Sequence, residues 1–308
     1  MSEYAVVYLN HPVRAFSLSD QQFASLRLRF PTWSFVRVTS EEELMHHLAS
    51  ATILLSWHMR KQWYALAPRL RLIATPAAGH DWIEDDPNRM VTVIHGSYHG
   101  AIMAESLIAM MLFFSRRLGS LLDNQRSHAW ERDFLSTTRR IGASTVMIVG
   151  YGHIGRHCAR LLKGFGCRIT GVKRGKRDRL LDRDADTITT FEECRQLIGD
   201  VDHVVAILPA TPQTQYMLDD SFFKAMRPDA YFYNLGRANC YQEHILVRAL
   251  QSGLIEGAGL DVFQQEPLAP DSPLWDMHNV LIMPHASAIS GEYLWMWLDE
   301  LEEKLATE

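Results

Sequence analysis

Short runs of apolar and β-branched residues recur along the chain, separated by stretches whose apolar positions fall at helical spacing. In the first hundred residues these runs predict strands over 5–9, 34–38, 52–57, 70–75 and 91–95. Between them, 20–30 and 40–49 have helical spacing, and Ser40 followed by Glu43 makes a capping-box signature. A long helical stretch over 101–127 passes into a polar segment at 129–144. The alternation then restarts, with a strand over 145–149, a helix from Ile154, and strands over 168–172, 203–208, 230–234, 257–261 and 280–283. Strand–helix alternation of this kind calls for parallel sheets covered on both faces. The fold class is therefore α/β, with two Rossmann-like domains, each an open parallel sheet with helices on both faces. The expected boundaries are 1–100 with the final helical stretch 290–308, and 101–289. A cleft between two such domains is the usual place for a small ligand.

Composition narrows the class only a little. The 308 residues are 47% hydrophobic, enough for one large or two ordinary cores. A charged fraction of 22% and a net charge of −5 point to neither nucleic acid nor an anionic membrane as the main partner. No signal peptide is expected at residues 1–10, and the longest apolar stretch, 101–115, is interrupted by Glu105 and too short to span a bilayer. Cys158, Cys167, Cys194 and Cys240 show no CxxC spacing, as befits reduced packing residues of a cytoplasmic protein.

Chemistry first shows at residues 145–155, TVMIVGYGHIG, where an apolar strand runs into Gly150-x-Gly152-x-x-Gly155 and then a helix. Gly150 makes the tight turn, Gly152 lets the backbone approach a pyrophosphate, and Gly155 lets helix pack on strand. The helix amino terminus offers free N–H groups and a favourable dipole to phosphates. His153 within the loop either reaches a phosphate or is a surface residue. An NAD site would place a carboxylate at the end of the next strand for the ribose hydroxyls. Here that end reads Lys173-Arg174-Gly175-Lys176-Arg177. Cations there attract a 2′-phosphate, so NADP(H) is favoured over NAD(H); the bland alternative is a solvated basic turn.

Three downstream segments put polar groups after strands: NLGRAN at 234–239, GLDVFQQEP at 259–267 and PHASAIS at 284–290. Ligands of open α/β sheets bind at the carboxyl ends of strands, so Arg237, Glu266 and His285 are expected to converge there. A guanidinium can bind a carboxylate and a carbonyl oxygen together, and an imidazole can donate a proton to that oxygen as hydride arrives. A carboxylate on the other ring nitrogen would orient the imidazole.

With Ala78-Gly79-His80-Asp81, Ala104-Glu105, the glycine turn, LPATPQT at 208–214, Ser272-Pro273-Leu274-Trp275 and Pro284-His285, these motifs stand in the order of a known family. The chain resembles the D-isomer-specific 2-hydroxyacid dehydrogenases, and within them the glyoxylate/hydroxypyruvate reductases. The resemblance implies hydride transfer from NADPH to a small 2-oxo acid, giving a D-2-hydroxy acid. Arg237 would bind and orient the substrate, His285 would be the acid/base, and Glu266 would orient His285. It implies cofactor contacts at Ile154, Leu208, Pro209, Thr214, Leu235, Gly236 and Asp261, the last facing the carboxamide or else tying a loop.

Substrate contacts are implied at Ala78, Gly79 and Trp57, the tryptophan being equally readable as a packing residue. The family commonly has glycine where this chain has Ala77 and Ala238. The loop HGSYHG at 95–100 also departs from the family and is unsuited to metal binding without carboxylate or thiol company; no metal site is expected. A homodimer through the cofactor domain and the 101–118 helix is implied, although that helix reads equally as core. Rival functions are a formate-dehydrogenase-like enzyme, against which the carboxylate of Glu266 argues, and a cofactor-sensing binding protein.

Overall fold

The computed structural model describes residues 3–175 and 182–306. They form two units, one running to His99 and resuming at Ile289, the other Gly100–Ala288.

The first unit contains β1 (Glu3–Tyr8), α1 (Asp20–Arg29), β2 (Trp33–Arg37), α2 (Glu41–Leu48), β3 (Ile53–Ser56), β4 (Leu72–Thr75) and β5 (Thr92–His95). All pairings are parallel and the order is β2-β1-β3-β4-β5. Side chains alternate between faces along a strand, so Val6, Leu54 and Ile73 share one core with Leu44 and Leu48 of α2. On the other side α1 meets the C-terminal helix Tyr293–Ala306, where Arg29 pairs with Asp299 and Glu302, each at 2.6 Å. Ser40 does cap α2, accepting from the Glu43 N–H at 3.1 Å. Only half of the expected box forms, because the Glu43 carboxylate turns instead to the Thr39 N–H at 2.7 Å. A complete box, Ser19 with Gln22, starts α1.

The second unit opens with α3 (His99–Ser115) and α4 (Leu118–Arg126). The single helix expected over 101–127 is broken at Arg117, which adopts left-handed backbone with φ 49° after the last turn of α3 tightens. The left-handed position is an arginine, with Gly119 following in the first turn of α4. There follow β6 (Thr145–Val149), α5 (His153–Phe165), β7 (Arg168–Lys173), β8 (Thr187–Thr190), α6 (Phe191–Cys194), β9 (His203–Ala206), α7 (Asp220–Lys224), β10 (Tyr231–Asn234), α8 (Glu243–Gln251), β11 (Gly257–Leu260) and β12 (Val280–Ile282). The sheet is parallel throughout, in the order β12-β11-β10-β9-β6-β7-β8.

Two cores flank this sheet. Val146 and Ile148 of β6 face α3 and α5, whereas Met147 and Val149 face α7 and α8. Full burial of each such side chain is worth about 1.5–3 kcal/mol, which explains why β6 is apolar on both faces. Reversal of strand order at β6–β9 leaves a crevice beyond their carboxyl ends. No helix among the described residues is long and apolar enough to cross a membrane. All four cysteines are buried and free of disulfides, and burial pushes the Cys158 thiol up to about 12.

Candidate active site

Because every strand of the second sheet is parallel, the loops after β6, β7, β9, β10, β11 and β12 share one edge. From β7 to β12 that edge spans five strand spacings, roughly 24 Å at ~4.8 Å each.

Next to the β7 end of that edge is the glycine turn after β6. Gly150 has φ +98°, and a Cβ there would stand 2.2 Å from the Ile207 carbonyl oxygen. Gly155 lies against strand, with a Cβ position 2.8 Å from the Gly150 oxygen. Gly152 is the contrast: nothing lies within 4 Å of its Cβ position. It is also the N-cap of α5, and no side chain caps that helix. An open backbone position at an uncapped, thirteen-residue helix fits the pyrophosphate of a dinucleotide. His153 is exposed in the first turn and Ile154 half-buried.

At the end of β7, Lys173 is half-buried with its Nζ 5.4 Å from the centre of the Tyr151 ring, and Arg174 is exposed. Lys176 and Arg177 of the expected basic run lie outside the described residues. Tyr151 escaped the sequence reading because it occupies a variable position of the turn. Its ring fills the space left by the missing side chain of Gly171, and its hydroxyl donates to Asp182 at 2.9 Å. Arg156 lies 3.3 Å from the same carboxylate. Asp182 is thus engaged by a hydroxyl and a guanidinium.

Beyond β9, Leu208 is buried, and Thr214 donates to the Pro209 carbonyl at 2.6 Å, tying its own loop. After β10 the backbone N–H of Gly236 donates to Asn234 Oδ1 at 3.0 Å, and Asn234 Nδ2 donates to the Arg237 carbonyl at 3.2 Å. Asn234 therefore clamps both sides of the turn, with Leu235 buried beneath it. A Cβ on Gly236 would stand 2.5 Å from the Leu208 nitrogen, which requires glycine where these two loops meet. Arg237 is half-buried and extended, with Nη1 donating to the Gly236 carbonyl at 3.1 Å. Ala238, where the family has glycine, is buried in the short helical turn Ala238–Cys240 without left-handed backbone.

Two loops meet at His285. Glu266 Oε1 accepts from the Phe263 N–H at 3.0 Å, and Oε2 lies 2.7 Å from His285 Nδ1. The Glu266–Pro267 peptide is cis. Both carboxylate oxygens are committed, which leaves Nε2 as the ring nitrogen not held by Glu266. His285 itself has φ 51°, a conformation an L side chain adopts at a cost of about 1 kcal/mol. Asp261 offsets that cost. Its carbonyl accepts from the His285 N–H at 2.8 Å, and its Oδ1 accepts from the N–H groups of Ala286 at 2.6 Å and Ser287 at 3.0 Å. The Ser287 hydroxyl donates to the other oxygen. Burial raises the Asp261 carboxyl above its ordinary value, against the lowering pull of these donors. Asp261 thus ties the loop that carries His285.

In the first unit, Ala78 and Gly79 follow β4 and are half-buried. Ala77 is accommodated without left-handed backbone, its N–H facing Thr75 Oγ1 at 3.3 Å. Trp57 is only 8% exposed; its indole donates to the Phe16 carbonyl at 2.9 Å and packs near the rings of His11, Phe16 and Tyr293. The 95–100 loop anchors the C-terminal helix. Glu300 accepts from the Ser97 N–H at 2.9 Å, Lys304 donates to the His95 carbonyl at 2.7 Å, and His99 Nε2 lies 2.8 Å from the Tyr293 hydroxyl. Among the described residues no group of three or more His, Cys, Asp or Glu is placed to hold a metal ion.

Comparison with known proteins gives the chain's family. Residues 108–287 match the family described as D-isomer specific 2-hydroxyacid dehydrogenase, NAD binding domain. The glyoxylate/hydroxypyruvate reductase B of Enterobacter sp. (strain 638) is 32% identical over 233 residues, covering 73% of this chain and 70% of that protein. A D-isomer specific 2-hydroxyacid dehydrogenase family protein of Aeromonas salmonicida superposes with a TM-score of 0.81 at 26% identity, over 100% of this chain and 94% of the other. A D-isomer specific 2-hydroxyacid dehydrogenase of Xanthobacter autotrophicus Py2, in complex with NADPH and MES, gives 0.81 at 25% identity, over 100% and 96%.

Proposed function

We propose, from the premise that the chain belongs to the D-isomer specific 2-hydroxyacid dehydrogenases, that it reduces a small 2-oxo acid to the D-2-hydroxy acid with NADPH as preferred donor. As a member it is an NAD(P)-dependent oxidoreductase acting on the CH–OH group. The observation that carries the proposal is the His285–Glu266 pair at 2.7 Å, on the same sheet edge as a glycine turn fitted to a pyrophosphate.

A nicotinamide dinucleotide, when bound, would supply the hydride. Gly150, Gly152, Gly155 and the first turn of α5 would hold its diphosphate, and Lys173 with Arg174 would take the 2′-phosphate. The two cations Lys173 and Arg174 at the end of β7 support this preference, as does the NADPH in the Xanthobacter protein. Arg237 binds the substrate carboxylate and carbonyl oxygen together, orienting the carbon that is reduced. His285 donates its proton from Nε2 to that oxygen as negative charge develops, while Glu266 holds the ring through Nδ1. The resemblance further assigns substrate contacts to Ala78 and Gly79, and to Trp57, whose ring is held by its own aromatic packing.

The Enterobacter relative's name makes glyoxylate and hydroxypyruvate the first acids to assay. The enzyme is a cytoplasmic homodimer in this account. Exposed Leu118, Leu121 and Leu122 on α4, with Trp130 at 90% exposure, support a protein partner for the second unit.

The test is His285→Ala, which should lose turnover by about 10²-fold or more while still binding NADPH by fluorescence titration. Near wild-type kcat in that variant would refute the assignment. If the unaltered protein binds NADPH but oxidises it with no 2-oxo acid of a broad panel, a cofactor-sensing binding role replaces the enzyme.

A further inference from the structure

We propose that Ser106, on α3, is a positioning residue for His285 that acts through Ser287; this rests on His285 being the proton donor. His285 stands in left-handed backbone with no glycine beside it, so its segment must be held by its surroundings. The ties from Asp261 all come from the β11 side: its carbonyl to the His285 N–H, its carboxylate to the N–H groups of Ala286 and Ser287 and to the Ser287 hydroxyl. A second element approaches the same segment from elsewhere. The Ser106 hydroxyl donates to the Ser287 carbonyl at 2.8 Å.

That hydroxyl sits on a firm platform. Met103, Ala104 and Leu107, its neighbours on α3, are buried in the core that also holds Val146 and Ile148 of β6. Ser287 is itself buried. A buried carbonyl that loses its donor keeps the full cost of its desolvation, so the bond matters more than its small net worth suggests. Its location is also distinctive. α3 begins where the chain leaves the first unit at His99, and Ser287 stands just before the chain returns to it at Ile289. One hydrogen bond therefore joins both crossing segments of the backbone, two residues from the imidazole. His285 is held by Glu266 at its ring, by Asp261 at its backbone, and by Ser106 at the far end of its turn.

The experiment compares the full-length protein with Ser106→Ala and Ser106→Thr, the latter keeping the hydroxyl. With NADPH and glyoxylate, Ser106→Ala should lower kcat about 2- to 12-fold, the range of one net hydrogen bond. The dissociation constant for NADPH should stay unchanged, because the glycine turn is a separate loop, and Ser106→Thr should restore kcat. Amide hydrogen exchange at Ala286 and Ser287, read without substrate, should quicken by a similar factor in Ser106→Ala. Wild-type kcat in Ser106→Ala, an equal loss of NADPH affinity, or a folded Ser106→Thr as slow as the alanine variant would each overturn the proposal. If the unaltered protein reduces no oxo acid, the function fails rather than the tether, and unchanged exchange at 286 and 287 would still overturn the tether.

Discussion

Replacing Glu266 by glutamine removes one charge and one acceptor with almost no change of shape. In the native site Oε1 takes the Phe263 N–H at 3.0 Å and Oε2 faces His285 Nδ1 at 2.7 Å. Glutamine has one oxygen for these two donors. If that oxygen stays with Phe263, the amide NH2 faces Nδ1, which must then accept and cannot carry a proton. If it turns to Nδ1, the NH2 opposes the Phe263 N–H. Either way the protonated imidazole loses a charge-assisted hydrogen bond, worth about 1.5–3 kcal/mol. Both side chains are more than a third exposed, at 43% for His285 and 37% for Glu266, so solvent screening favours the lower end.

About 1.5 kcal/mol is close to tenfold in rate. Glu266→Gln should therefore lower kcat about tenfold, while the dissociation constant for NADPH, read by fluorescence titration, stays unchanged. The assay is kcat for both proteins at saturating NADPH and oxo acid. Wild-type kcat in the glutamine variant, or an equal loss of NADPH affinity, would refute the orienting role of Glu266.

The glycine turn offers a paired test. Gly152→Ala meets no atom within 4 Å, so the melting temperature should hold while NADPH binding weakens at least about tenfold in a fluorescence titration. Gly150→Ala, with φ +98° and a backbone oxygen 2.2 Å away, should instead cost at least about 2 kcal/mol in a urea melt. Lys173→Ala combined with Arg174→Ala should raise KM for NADPH about tenfold or more and leave KM for NADH nearly unchanged; equal effects on both would remove the 2′-phosphate assignment. Burial holds His203 down to about 4 from 6.5. Its folded state binds fewer protons than the unfolded chain, so this contribution to stability is full above pH 6.5 and is lost as pH falls to about 4, roughly 3 kcal/mol in all. His203→Gln should flatten that part of the stability profile, and an unchanged slope between pH 6.5 and 4.5 would contradict it.

Most of the fold was legible because each strand is a burial pattern bounded by polar or glycine residues. β6 is the clearest case, falling on 145–149 between Ser144 and Gly150. Strand ends were legible less well, at both ends: the strand expected over 70–75 begins only at Leu72. Trp57, Leu208 and Asp261 all read as strand and all lie just beyond one, because tertiary contacts rather than the sheet bury them. β8 was not legible at all. Its sequence TITT is three threonines at a sheet edge, and a polar run of that kind carries no apolar period to detect. Its helix signal was present nonetheless: Thr190 and Glu193 form a complete capping box at the start of α6.

The site divides along the same physical line. The glycine turn and the residues after β10, β11 and β12 could be read because local sequence determines them: a turn needs glycine, and parallel strands bring their carboxyl ends to one edge. What holds those residues in place could not. The segment around His285 contains no glycine, so nothing in 284–290 signals a left-handed histidine. That conformation is bought by Asp261 and Ser106, the latter 181 positions from the carbonyl it binds. A hydrogen bond of such span leaves no period, spacing or motif behind it. For Asp261 the resemblance implied either a carboxamide contact or a loop tie, and both carboxylate oxygens are engaged by the backbone and hydroxyl of 286–287. The place of His285 after a strand is thus a local property of the sequence, whereas its orientation belongs to the assembled sheet edge.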